Sequence, residues 1–300
     1  MRVLSIDGGG IRGIIPALVL VEIERRTGRR AAELFDLVAG TSTGGILACA
    51  LTRPGALPAA ELVELYRTEG PRIFKRSLAQ RVRSAEGLLE EKHDDDALKD
   101  ALARYLGTGR LSDATTRVLV TAYDLQAREP HFFKSWREEL DGPLTLVARA
   151  TAAAPTYFEP VEAGPRSLID GGVFATNPAM CAYAEAVRLT DRPPAFVLSL
   201  GTGRQTRPIA HADAAGWGLV QWVRPVIDVV FDGVSRTVEY QLQKLMAPRA
   251  VVRLQVELDK ASDALDDASP RNLALLEEQG RELIAREDAA IDAACAVLAG

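Results

Sequence analysis

The chain predicts an α/β fold in which a parallel or mixed sheet is covered by helices. Three observations carry that expectation. Short runs rich in Val, Leu and Ile alternate with longer helical stretches. Three of the short runs end abruptly in glycine-rich turns. With 300 residues, 47% apolar and 26% charged, the chain is long enough to bury one large core, a single domain over 1–300.

Taken in order, RVLSID (2–7) is strand-like and runs into DGGGIRG (7–13). IIPALVLVEIERRTG (14–28) then reads as a helix, with Pro16 near its start and Gly28 past its end. LFDLVAG (34–40) is a second strand, followed by GTSTGG (40–45) and the apolar GILACAL (45–51). PAAELVELYRTEG (58–70) and DDDALKDALARYLG (94–107) are helical. Between them, 71–115 changes composition from a basic part, RIFKRSLAQRVR, to an acidic one, EGLLEEKHDDDALKD. That segment is either an inserted cap or a long helical crossover. TRVLVTAYDL (116–125), SLID (167–170), AFVLSLGTG (195–203) and AVVRLQVEL (250–258) are further strands. NPAMCAYAEAVRLT (177–190) is a helix, and 275–300 is expected to form a C-terminal helix.

Bulk properties exclude several classes. A net charge of −5 and a pI near 5.4 speak against a nucleic-acid partner. Cys49, Cys181 and Cys295 lie far apart in apolar surroundings, with neither disulfide nor metal-ligand spacing, which fits a reducing compartment. The first apolar run begins at Val3, too early for a signal peptide, and no run reaches the ~18 apolar residues of a membrane span. A cytoplasmic protein with at most peripheral contact with the inner face of the membrane is expected.

The chemistry centres on Ser42. Gly40-Thr41-Ser42-Thr43-Gly44 fits G-x-S-x-G between a strand and a helix, the context in which glycines relieve a sharp turn that thrusts the serine out as a nucleophile. The same residues also suit a plain glycine-rich connection with Ser42 as helix N-cap. The cluster Gly8-Gly9-Gly10 ends another strand and has backbone N–H groups free to face an anion, either an oxyanion or a phosphate. Gly8 to Gly13 also satisfies the dinucleotide pattern, yet the second strand ends in Gly40-Thr41-Ser42 and not in an acid. A serine needs a base. Of the three histidines, His93 sits in a charge run, His131 in a strand or hairpin, and His211 in a polar loop whose place in the chain suits a Ser-Asp-His order. Asp170, in the turn LIDGG (168–172), is the other candidate, provided its site raises its pKa.

DGGGIRG, GTSTGG and DGG, in that order, resemble the patatin-like phospholipases. The similarity runs from Met1 to about residue 275 and includes ATAAAPTYFEPV (150–161), Asn177-Pro178 and SLGTG (199–203). The resemblance implies a three-layer α/β/α sandwich around a mostly parallel sheet. It implies Ser42 as nucleophile on an elbow framed by Gly40 and Gly44, Asp170 as base, Gly8, Gly9 and Gly10 as oxyanion loop, and Arg12 in support. Histidine, metal and cofactor are then unnecessary. The implied reaction is hydrolysis of fatty-acyl esters of phospholipids or related lipids through an acyl-enzyme, with a lipid at a membrane surface as partner. The same site would also serve an acyltransferase, a non-lipid esterase, or a membrane-degrading effector switched on by a small nucleotide activator.

Lipid substrates require an apolar cleft. Tyr157 and Phe158, after Pro155, are candidates to line it. GWGLVQWVRPVIDVVFDG (216–233) carries polar residues at 221, 224, 228 and 232, with Trp217, Trp222 and Phe231 among the rest. It reads either as an interfacial or cleft-lining helix or as a core helix with one wet stripe. Arg72, Lys75, Arg76, Arg81 and Arg83 form a basic run that suits anionic headgroups or a solvated face.

Overall fold

Every residue of the second and seventh strands is buried, which is why their sequences are continuous apolar runs and not alternating ones. The computed structural model describes residues 1–74, 95–206 and 208–300. Up to the third strand the elements are β1 (Arg2–Ile6), α1 (Ile14–Thr27), α2 (Ala31–Leu34), β2 (Leu37–Thr41), α3 (Thr43–Thr52), α4 (Ala59–Ile73) and α5 (Asp95–Leu106). Then come β3 (Arg117–Asp124), β4 (Glu129–Lys134), α6 (Leu144–Thr151), β5 (Val161–Ala163), β6 (Arg166–Asp170), α7 (Gly172–Ala175) and α8 (Ala179–Thr190). The chain continues through β7 (Phe196–Leu200), β8 (Arg204–Gln205), α9 (His211–Ala214), α10 (Leu219–Leu245), β9 (Val251–Leu254) and β10 (Glu257–Leu258). It ends in α11 (Pro270–Arg286) and α12 (Asp288–Ala299).

Strands β3, β2, β1, β7 and β9 are neighbours in that order and all parallel. Antiparallel pairs finish the β3 side, where β4 and β6 both bond to β3 and β5 bonds to β6. The register there positions the site. β2 covers one edge of β3 as far as Thr41 opposite Thr121. β6 takes over at the next residue, with Asp170 opposite Ala122, while β4 fills the other edge over both stretches. The C-terminal ends of β2 and β6 therefore meet head to head along one edge of β3.

Helices cover both faces, giving the three layers that the motifs imply. Leu4, Ile6, Val38, Val118, Val120 and Leu198 point into a thick layer built on α1, α3, α4, α6, α11 and α12. Val3, Leu37, Ala39, Leu119 and Val197 point into a thinner one made by α8 and the C-terminal half of α10, where Val238, Leu242 and Met246 are buried. Some boundaries follow from local chemistry. Gly28 closes α1 in the left-handed conformation at φ 66°, and Ser269 caps α11 by accepting from the Asn272 N–H, with Pro270 next in line.

The single helix expected over 275–300 is two. Glu287, at φ −98° and ψ 21°, leaves the helical region, and the bend turns Ile291 and Leu298 into the same core as Leu276 and Leu283. Arg26 of α1 ties the bend down through Asp288 and Asp292. Of the segment 71–115, α5 packs into the helical layer through Leu98, Ala101, Leu102 and Leu106. The rest of the cap or crossover expected over 71–115, residues 75–94 with Lys75, Arg76, Arg81, Arg83 and His93, lies outside the described residues. Among those residues no helix is long and apolar enough to cross a membrane.

Candidate active site

The turn at Ser42 is shaped by contacts that only glycine permits. A Cβ on Gly40 would lie 2.1 Å from the Gly44 carbonyl oxygen, and one on Gly44 would lie 2.2 Å from that of Ile6. Between them Ser42 adopts φ 54° and ψ −124°, a strained conformation for a residue with a side chain. Its N–H donates to Thr151 Oγ1 at 2.8 Å, and its carbonyl accepts from Gly45 and Ile46, which starts α3. The Ser42 side chain makes no capping bond to that helix. That side chain is near enough to the Asp170 carboxylate to favour the charged form of the acid.

Asp170 is 1% exposed, and burial pushes its pKa up to about 7 against the lowering effect of the Ser42 side chain and the Gly172 N–H. The latter is 2.7 Å from Oδ1. Gly171 is required there, because a Cβ would lie 2.2 Å from Thr121 Oγ1. Thr41 joins the two turns: its hydroxyl donates to the Ala175 carbonyl at 2.6 Å and pairs with Thr121 Oγ1 at 2.7 Å.

The third turn is pinned from both sides. The Gly8 N–H donates to the Thr176 carbonyl at 2.9 Å, and the Gly8 carbonyl accepts from Thr202 Oγ1 at 2.7 Å. On the other side the Ile11 N–H donates to the Leu265 carbonyl, and Arg12 bridges the carbonyls of Gly9 and Asp263. Gly10 takes φ 57° with no room for a Cβ beside Leu265. Of the three glycine N–H groups singled out in the sequence, Gly8 is therefore already bonded. Those of Gly9 and Gly10 have no protein acceptor among the described residues. Asp7, at the root of the loop, forms a buried two-pronged ion pair with Arg253, at 3.0 and 2.6 Å.

Gly8, Gly9, Gly10, Ser42 and Asp170 line one cleft of about 750 Å³, whose walls include Leu65, Ile73, Phe74, Leu98 and Phe231. Tyr157 and Phe158 are also among its lining residues. Arg149, paired with Asp95 and lying 5.4 Å over the Phe158 ring, supports that wall. Arg12 faces the other way. Behind the glycine loop it lines a polar chamber of about 540 Å³ with Asp7, Arg204, Gln205, Asp228 and Gln255.

The two described histidines stand apart from this cleft. His211 is exposed on α9. His131 lies on the far edge of β3, packed edge-on against Phe133 at 4.6 Å, and burial lowers its pKa to about 4. No group of acidic, histidine and cysteine side chains with metal-ligand geometry occurs among the described residues.

The family model for patatin-like phospholipases matches residues 4–183. The chain belongs to the patatin-like phospholipase family. "Probable inactive patatin-3-Kuras 1" of Solanum tuberosum is 32% identical to this patatin-like chain, over 95% of it and 86% of the relative. Patatin-like protein 2 of Arabidopsis thaliana is 32% identical over 97% and 84%. VipD from Legionella pneumophila, a solved structure, superposes with a TM-score of 0.46 at 12% identity, covering 95% of this chain and 67% of that one. As a patatin-like phospholipase, the chain is a lipid acyl hydrolase.

Thr151, Thr176, Thr202 and the Asp7–Arg253 pair were not singled out from sequence, although Thr151 and Thr202 lie in the ATAAAP and SLGTG segments. Nothing in a lone threonine announces which backbone N–H or carbonyl it will meet.

Proposed function

We propose that this hydrolase works through a Ser42–Asp170 dyad and an acyl-enzyme. The observation that supports the reading best is that Ser42, on its strained turn, shares one cleft with a buried Asp170 whose pKa is raised to about 7 and on which the Ser42 side chain acts. A carboxylate so tuned is a competent base near neutral pH, as an ordinary aspartate at ~3.9 is not. Ser42 Oγ attacks the ester carbonyl carbon as its proton passes to Asp170. The tetrahedral oxyanion accepts from the Gly9 and Gly10 N–H groups, donors of a kind worth roughly 3–4 kcal/mol each. Arg12 holds the Gly9 carbonyl and so the peptide that carries the Gly10 N–H, while Thr202 holds the Gly8 carbonyl and the peptide that carries the Gly9 N–H. Asp170 returns the proton to the departing alcohol oxygen, leaving the acyl group on Ser42. Water, deprotonated by Asp170, then attacks the acyl-enzyme, releases the fatty acid and restores the serine.

The apolar cleft suits a fatty-acyl chain, and the substrate is a phospholipid or related lipid met at a membrane surface. Fatty-acid release from phosphatidylcholine–phosphatidylglycerol vesicles, compared between wild type and Ser42→Ala, tests the proposal. Release that persists in Ser42→Ala overturns it.

A further inference from the structure

The first half of α10 turns its apolar residues outward. Leu219 is 85% exposed, Val229 is 49% exposed, and Trp222, Val226 and Val230 are each more than a third exposed. Spacings of three and four residues put them on one helical face. At its start Trp217 and Trp222 pack edge to face at 5.1 Å. On the opposite side four polar residues meet the rest of the chain. Asp228, Asp232 and Ser235 line the chamber behind the glycine loop, and Glu239 pairs with Arg204 at 3.0 Å. A core helix with a single wet stripe does not describe this half, because an apolar row of it also meets water.

This face is continuous with the site. An apolar passage of about 510 Å³ is walled by Pro155, Tyr157, Val226, Val230, Phe231 and Leu265. Tyr157, Phe231 and Leu265 also line the cleft that holds Ser42 and Asp170. Val226 and Val230 thus belong both to the exposed stripe and to the passage. A second copy of the chain seated on the stripe would stopper that passage. A lipid layer covers the same residues and leaves an acyl chain a dry route inward.

We propose that the Leu219–Val230 face of α10 is the surface on which the enzyme docks to a lipid bilayer, delivering acyl chains through the passage to Ser42. The inference rests on the lipid-hydrolase reading above, and its test separates the two. Leu219 and Val229 are exposed and lie outside the passage, so the double variant Leu219→Gln/Val229→Gln is used as the full chain. Against phosphatidylcholine–phosphatidylglycerol vesicles it is expected to bind about tenfold or more weakly than wild type, since apolar area is what such a face inserts. Fatty-acid release from the vesicles falls in parallel, while hydrolysis of a soluble short-chain ester stays at the wild-type rate. Ser42→Ala is expected to bind vesicles like wild type and to hydrolyse neither substrate. Undiminished vesicle binding by the double variant overturns the docking surface. So does a wild-type dimer in light scattering that the double variant dissociates, which would assign the face to a second copy. Hydrolysis that survives in Ser42→Ala, alongside lost binding in the double variant, overturns the dyad and leaves the docking surface standing.

Discussion

Two apolar helices flank the same cleft and meet water in opposite ways. All ten residues of α3 are buried between the sheet and its helical cover, and the strained Ser42 turn hangs from its first residue. The first half of α10 shows water Leu219, Trp222, Val226, Val229 and Val230. Apolar composition states that a helix must be covered, but not by what. For α3 the cover is the rest of the chain, and the payment is rigidity: a backbone conformation that costs roughly 1–3 kcal/mol is held because nothing around it can move. For α10 no cover lies over that stripe among the described residues.

Substitutions should separate the two regions sharply. The largest effect is expected from Gly44→Ala, whose Cβ would meet the Ile6 carbonyl. Because backbone must move, more than about 4 kcal/mol of stability is lost, read as absence of a cooperative thermal transition. Next, Asp7→Asn leaves Arg253 buried with an unanswered charge and is expected to cost about 3–5 kcal/mol in chemical denaturation.

Asp170→Asn should act in the opposite direction. In the folded chain Asp170 titrates near 7, against about 3.9 when unfolded. The native state holds the proton more tightly, so this group's contribution is complete below about 4 and is lost as pH rises through 7. Wild-type activity should climb over the same range as the base deprotonates. Asp170→Asn should be inactive, yet its melting temperature should overtake that of wild type as pH rises from 5 to 9, a gain of a few kcal/mol. Ser42→Gly, relieving the positive φ, is expected to add about 1 kcal/mol at neutral pH while abolishing turnover. On the α10 side, Val229→Ala should change stability by no more than about 0.5 kcal/mol, measured by the same melts. A large loss there would mean that the stripe is packed against part of the chain and would erase the contrast.

How much of this the sequence could reveal depended on the range of the forces involved. The three turns were legible because each is marked by glycines just after an apolar run, although only the crowding between Gly40 and Gly44 is local, and Gly44 and Gly171 answer to the distant Ile6 and Thr121. Asp170 could be chosen over His211 only by its place in LIDGG, and the environment that raises its pKa is assembled from distant segments. The bend at Glu287 and the inward face of α10 depend on which layer each helix meets, which periodicity does not specify. The same stripe count at 221, 224, 228 and 232 fits a helix pointing either way. Gly8 was grouped with Gly9 and Gly10 by composition, and only the Thr176 carbonyl distinguishes it.

The head-to-head meeting of β2 and β6 has a consequence for how the molecule is born. The Ser42–Asp170 spacing is set by one peptide unit of β3, between Thr121 and Ala122. A slip of one residue in β6 would send the Asp170 side chain to the other face of the sheet. No partly folded chain that lacks the β3–β6 pairing can hold the two together, and that pairing closes a long loop, which makes it slow. Recovered esterase activity during refolding should therefore lag behind recovered helicity, and the lag would time the completion of the sheet.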